Sequence, residues 1–173
     1  VTNISNTFIA KAMAVIFWCL MLGALAYYFQ DQIAQKINPN QQVSSNYQNN
    51  GQVSVMLKPN NRGHYLVNGT INSKPVTFLL DTGATQISIP AHLAHQLQLS
   101  AGPRFTVNTA NGQIQVAATT VTSLTIAGIK LGQLAAHLNP GIENNVILLG
   151  MNALQQLDLH QQNNTLTLTQ INP

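Results

Sequence analysis

Charge is the scarcest property of this chain. Its 173 residues include seven Lys or Arg and four Asp or Glu, 6% in all, where an average soluble chain has about 25%. A net charge of +3 without any run of basic residues cannot supply the clustered Lys/Arg footprint of a nucleic-acid binder, so no nucleic acid is expected as a partner. A single cysteine, Cys19, excludes an internal disulfide and any Cys-based zinc site. No Gly-x-Gly-x-x-Gly or P-loop pattern occurs, which leaves nucleotide chemistry without a foothold. His92 and His95 are three residues apart, but no carboxylate or cysteine lies close in sequence to complete a metal site. His64, His137 and His160 are scattered. No metal is expected. Ser44, Ser45 and Ser88 lack a partnered His and acid in a recognisable order, so serine-hydrolase chemistry falls away. Acid–base chemistry must draw on Asp31, Asp81, Glu143 or Asp158. Polarity comes instead from amides, 20 Asn and 18 Gln.

Three segments differ in composition. Residues 1–29 contain a charge-free run of 18 residues, Ala12 to Phe29. With Ile9 and Ala10 it approaches the ~20 residues needed to cross a hydrocarbon core, and Tyr27, Tyr28 and Phe29 close it as interfacial aromatics do. Ala24-Leu25-Ala26 has the small-x-small form of a signal-peptide cleavage site. The apolar run continues past it into the three aromatics, which favours a retained transmembrane helix. Lys11 precedes the span, while Asp31 and Lys36 follow it. A short N-terminal stub that keeps Lys11 in the cytoplasm places the remainder outside. Residues 30–52 hold 12 Asn or Gln among 23, and without apolar periodicity such a segment buries too little to order itself. A flexible linker is expected, with a spread of roughly 25 Å.

Residues 53–173 are enough for one core. Short Val-, Ile- and Thr-rich runs alternate with turn signals: 52–57, 65–71, 75–80, 87–90, 105–109, 114–120, 122–126, 129–138, 146–149 and 165–169. Asn111-Gly112 between two of them signals a hairpin. Only 91–97 and 152–157 read as helical. The expected class is all-β, closed or sandwich-like.

Asp81 ends the apolar run Val76-Thr77-Phe78-Leu79-Leu80 and opens Thr82-Gly83-Ala84. A carboxylate delivered from a buried strand into a tight glycine turn is costly unless something uses it; the plain alternative is an Asx-turn. About 65 residues later, Val146-Ile147-Leu148-Leu149-Gly150 forms a second apolar strand ending in glycine before a helix start. The ordered set FLLDTGA, TANG and ILLGMNAL resembles the retropepsin-like (clan AA) aspartic proteases, in their bacterial membrane-anchored form. The resemblance runs from about Arg62 to Leu168.

That resemblance implies an acid-protease half-barrel with a short C-terminal helix, preceded by one transmembrane helix. It implies an aspartic endopeptidase with Asp81 as the catalytic residue, Thr82, Gly83 and Ala84 shaping its loop, and Thr109, Ala110, Asn111 and Gly112 at the tip of a flap. The second motif, Leu148, Leu149 and Gly150, would lie beside the Asp81 loop. Two carboxylates must face one water and share a proton, yet the chain has one Asp-Thr-Gly. The second would come from another copy of Asp81, in a homodimer. No cofactor is implied. The substrate would be a polypeptide bound as an extended strand, and the site a single-pass bacterial inner-membrane protein with its protease domain on the periplasmic side. Cleavage of its own linker is a further expectation. Met151-Asn152 departs from the Arg-Asn or Arg-Asp of many retroviral enzymes and removes an ion pair near the dimer interface. The alternative is an inactive protease-like fold serving as a membrane-tethered dimerisation or peptide-binding module.

Overall fold

The computed structural model describes residues 6–47, 51–109 and 112–171, in two units that divide between Lys36 and Ile37. The first is a single helix, α1 (Asn6–Ile37), of 32 residues. It is long and apolar enough to cross a membrane. At 1.5 Å per residue it reaches about 48 Å, well beyond the ~30 Å of a hydrocarbon core. The helix therefore runs on through residues 30–37, where a flexible linker was expected. Gln, Ala and Lys are good helix formers, and Lys36 in the last turn complements the C-terminal dipole. Pro39 then drives Asn38 out of the helical region.

The described remainder of the expected linker belongs to the second unit. Asn38 and Asn40 are buried. The Asn40 side chain brackets two strand ends: its Oδ1 accepts from Lys58 N–H (2.7 Å), and its Nδ2 donates to the carbonyls of Lys58 (2.8 Å) and Leu66 (2.6 Å). Asn38 Nδ2 donates to Asn68 Oδ1 at 2.9 Å, an oxygen that also accepts from Thr77 Oγ1. Residues Ser45–Tyr47 form strand β1. Two of the amides that make this segment look disordered in composition, Asn38 and Asn40, are buried and hydrogen-bonded to specific groups, while Gln41, Gln42 and Asn46 are exposed. Gln48, Asn49 and Asn50 lie outside the described residues.

The other strands are β2 (Val53–Leu57), β3 (Leu66–Ile71), β4 (Lys74–Leu80), β5 (Ile87–Pro90), β6 (Arg104–Thr109), β7 (Gly112–Val121), β8 (Leu124–Ile126), β9 (Ile129–Leu131), β10 (Leu134–Asn139), β11 (Val146–Leu149), β12 (Leu157–Gln162) and β13 (Thr165–Gln170), with a short helix α2 (Met151–Leu154) between β11 and β12. They make a four-stranded sheet, β1-β2-β13-β12, and a nine-stranded sheet, β6-β7-β10-β5-β11-β4-β3-β8-β9. The all-β expectation holds, with α2 as the short C-terminal helix. Alternation decides which side chains go inward: along β13, Leu166 and Leu168 are buried between threonines. They join Val55, Leu57, Phe78, Ile87, Ile89, Ile147 and Leu149 in one core.

Several boundaries differ from the sequence reading. The run 129–138 is broken at Gly132-Gln133, because β9 turns back on β8 while β10 crosses to pair with β7 and β5. The helical reading of 91–97 shrinks to one 3-10 turn, Ala91–Leu93, and that of 152–157 to α2. Strand β12 went unseen because its sequence, Leu-Asp-Leu-His-Gln-Gln, is polar and five of its six residues are exposed.

Replacing Asn40 with Ala should lower the unfolding free energy by about 1–3 kcal/mol, since the buried carbonyl of Leu66 and the part-buried peptide groups of Lys58 lose their partner. Asn40→Asp should also destabilise, keeping the acceptor but losing both donations. Denaturant unfolding of the full chain in detergent checks both.

Candidate active site

Asp81 follows β4 directly, and its backbone is tied on the core side. Leu80 N–H donates to Tyr65 O (3.0 Å) and Asp81 N–H to Leu149 O (3.1 Å). The second bond exists because β11 inserts beside β4 in parallel, Leu149 opposite Leu80, while Leu148 faces Ser88 of β5. Strand β11 thus fills the gap between the two strands joined by the Asp81 loop. Within the loop, Gly83 N–H donates to Asp81 Oδ1 at 2.9 Å and Ala84 N–H to Asp81 O at 3.3 Å. The Asx-turn and the exposed carboxylate are therefore one arrangement. The turn fixes one oxygen and leaves Asp81 half-buried at the surface of a cleft.

The second motif supports this loop by contact. Met151 N–H donates to Ala84 O (2.8 Å) and Asn152 N–H to Thr85 O (3.1 Å). A Cβ on Gly150 would come within 2.4 Å of Gln86 O and 2.8 Å of Ala84 O. Only glycine admits so close an approach of backbones. On Gly83, a Cβ would meet the Asp81 carboxylate oxygen at 3.2 Å.

The cleft has a volume of about 810 Å³. Its floor is the Asp81 loop with Leu148, Ser88 and His137; Phe105, Val107 and Ile114 face it from the β6–β7 hairpin. Thr109 and Gly112 pair directly, and Thr109 Oγ1 donates to Gly112 O at 2.8 Å. The expected flap residues Thr109 and Gly112 thus line the same cleft as Asp81, Gly83 and Ala84; Ala110 and Asn111 lie outside the described residues. Pairing through Gly112 places that glycine at the strand start, one position later than an Asn-Gly turn centre would have it. Thr82 is exposed next to Asp81. Leu148 lines the cleft, whereas Leu149 is fully buried in the core.

Of the three carboxylates in the second unit, Asp81 is the one that lines the cleft. Asp31 lies in α1, Glu143 in the loop before β11 and Asp158 in β12, all exposed. The sequence reading passed over His137, Ser88 and Asn139, three buried polar residues of the cleft. Their signal was available in part: a His and an Asn inside the apolar run Leu-Ala-Ala-His-Leu-Asn are polar groups at buried strand positions.

Comparison with known proteins agrees with this fold. The family model described as "gag-polyprotein putative aspartyl protease" matches residues 67–156, just over half of the chain. The chain belongs to this family. A retropepsin-like aspartic protease of Rickettsia conorii has a similar structure, with a TM-score of 0.59 and 25% identity over 75% of this chain and 96% of that one. EIAV protease, solved with the inhibitor HBY-793, superposes with a TM-score of 0.42 at 22% identity, covering 52% of this chain and 84% of that protein. A curated relative from Sinorhizobium sp, "Uncharacterized protein in cobV 5'region", is 32% identical over 114 residues, 64% of this chain. The chain spans about half the length of that relative, 49%. Family and fold together make this a retropepsin-like aspartic protease of clan AA, with an N-terminal helix able to span a membrane.

In this retropepsin-like chain, Gly150→Ala should destabilise the fold by about 1–3 kcal/mol through overpacking and displace the Asp81 loop. Thermal unfolding should show the loss. A Gly83→Ala variant should unfold closer to wild type, since its Cβ meets a side-chain oxygen rather than backbone.

Proposed function

We propose that this protein is an aspartic endopeptidase whose water is activated by two copies of Asp81 in a homodimer. The observation that supports this reading is that Asp81 lines a cleft walled by the β6–β7 hairpin, with no second carboxylate of the same unit beside it. A water-activating dyad needs one carboxylate as base and one as acid. Glu143 and Asp158, the other carboxylates of the second unit, do not line the cleft. A twofold axis beside Asp81 would bring the second group to the first and repeat the interface on both copies. Thr82, exposed next to the carboxylate, would brace the paired loops, and the hairpin tip at Thr109, Ala110, Asn111 and Gly112 would close over the substrate. A polypeptide would lie extended along the cleft, adding a strand to the exposed backbone there.

Helix α1 would hold the protein in the inner membrane of a bacterium, with residues 37–173 on the periplasmic side. The length and apolarity of α1 support the span, and Lys11 before the apolar run supports this orientation. Confinement to one membrane raises the encounter rate of two copies, which favours a catalytic unit that each copy half supplies.

Cleavage of a mixed peptide library by the full chain tests the reading. Asp81→Asn should reduce turnover by roughly 100- to 10,000-fold with thermal unfolding unchanged. Mixing equal amounts of wild type and Asp81→Asn should leave about one quarter of the dimers with two intact carboxylates, as random pairing of an isologous dimer requires. Activity near one half would show that each chain works alone. A fold that binds peptides without any Asp81-dependent cleavage would make it a binding module.

Ala84 lines the cleft next to Asp81. A hydroxyl there would favour the charged carboxylate by donating to it. Ala84→Ser should therefore move the acidic limb of the pH–rate profile to lower pH, measured as kcat/KM across the acid range.

A further inference from the structure

The cleft floor carries polar side chains that water activation at Asp81 does not use. The registers of β11, β5 and β10 line up Leu148, Ser88 and His137 in one row, and residues opposite one another on paired strands project to the same face. Asn139, two residues beyond His137, shares that face. Ser88, His137 and Asn139 are 4%, 8% and 6% exposed, and all three line the cleft with Asp81.

Buried polar groups are normally paired, and Asn139 is. Its Nδ2 donates to Ser88 Oγ at 3.2 Å and its Oδ1 accepts from Gly141 N–H at 2.8 Å. Both ends of the amide are thereby fixed, and Ser88 keeps its hydroxyl proton and a second lone pair for a ligand. His137 is different. Its Nδ1 is buried without a hydrogen-bond partner among the described residues, while its ring meets Phe105 edge-on, centroids 6.0 Å apart at 84°. An imidazolium needs an acceptor for each N–H, and Nδ1 has none. Burial accordingly holds the His137 pKa below its ordinary value, which favours the neutral ring. Nε2 is the nitrogen left to meet a ligand.

We propose that Ser88 and His137 form a subsite that selects a primary-amide side chain, Gln or Asn, from the bound peptide, with Asn139 as its positioning residue. An amide carries one acceptor and one donor group, so it suits either tautomer of a neutral imidazole. With Nε2 bare, the amide N–H donates to Nε2 while the Ser88 hydroxyl donates to the amide oxygen. With Nε2 protonated, the amide turns over, accepting from Nε2–H and donating to Ser88 Oγ. A Leu or Met side chain leaves His137 Nε2 and the Ser88 hydroxyl proton without a partner. A carboxylate meets no cation there, because neither Lys nor Arg lines the cleft, and its desolvation is uncompensated. The assignment rests on the cleft being the peptide site of the proposed protease.

A positional-scanning peptide library with the full chain tests it. Wild type should favour Gln or Asn at one substrate position over Leu and over Glu by about 10- to 100-fold in kcat/KM. His137→Leu and Ser88→Ala should each collapse that ratio. Because the ratio is taken within one preparation, a smaller folded fraction does not alter it. The same peptide pairs are also titrated calorimetrically onto the uncleaving Asp81→Asn variant, with and without His137→Leu. Cleavage lacking an amide preference, or a preference that survives both substitutions, overturns the subsite and leaves the protease standing. A preference for Glu overturns the amide assignment in the same way. Absence of cleavage with amide-selective binding lost in His137→Leu supports the subsite and overturns the protease reading. Absence of both cleavage and amide-selective binding overturns the two together.

Discussion

Asp81 stays at the cleft because two backbones far apart in sequence come closer than any side chain would allow. The meeting point is Gly150, whose missing Cβ would fall within 2.4 Å of Gln86 O. Through it the Asp81 loop gains its contacts: Asp81 N–H to Leu149 O on one side, Met151 N–H to Ala84 O on the other. The loop alone is a short turn that would sample many conformations. Clamped by β11 and the start of α2, it has one. The orientation of the carboxylate is thus a property of long-range packing, with the Asp-Thr-Gly triplet supplying only the local part.

The scarcity of charge has a structural counterpart. Asn side chains do work that ion pairs or caps do elsewhere. Asn40 joins Lys58 to Leu66, Asn139 sets Ser88 and Gly141, and Asn72 accepts from the N–H groups of Thr122 and Ser123 while donating to Leu97 O. Each is a neutral group with two opposed functions, able to satisfy a donor and an acceptor at once. Bonds of this kind are insensitive to ionic strength and to protonation, unlike exposed ion pairs.

How far the sequence discloses this molecule depends on the range of the interaction concerned. Strands β5 and β11 are legible to the residue, since Ile-Ser-Ile-Pro and Val-Ile-Leu-Leu are apolar runs bounded by turns. The pairing of Asp-Thr-Gly with the second glycine motif was legible through its family resemblance. Strand β12 was not, because its stability comes from β13 and from the turn at Asn163-Asn164. Both asparagines have positive φ, 48° and 57°, the geometry of a primed hairpin turn, and that dipeptide was the overlooked signal. Composition misled at 30–47, where amides were read as solvated. Two of them are not: Asn40 bonds the backbone of Lys58 and Leu66, Asn38 the side chain of Asn68, and no local pattern reveals partners so far downstream. His137 was missed for the same reason: its cleft position follows from the order of strands β5, β10 and β7.

The bracket at Asn38 and Asn40 also limits how the domain can be shed from its helix. Proteases take their substrates extended, so a scissile bond must be able to leave its own structure. Between Asn38 and Tyr47, Asn40 is hydrogen-bonded to Lys58 and Leu66 at the ends of β2 and β3, and Ser45–Tyr47 pairs with β2 as β1, so a cut there would strip the domain of its own polar ties. A release that leaves the domain whole therefore has to fall upstream of Asn38, inside a helix that must first unwind.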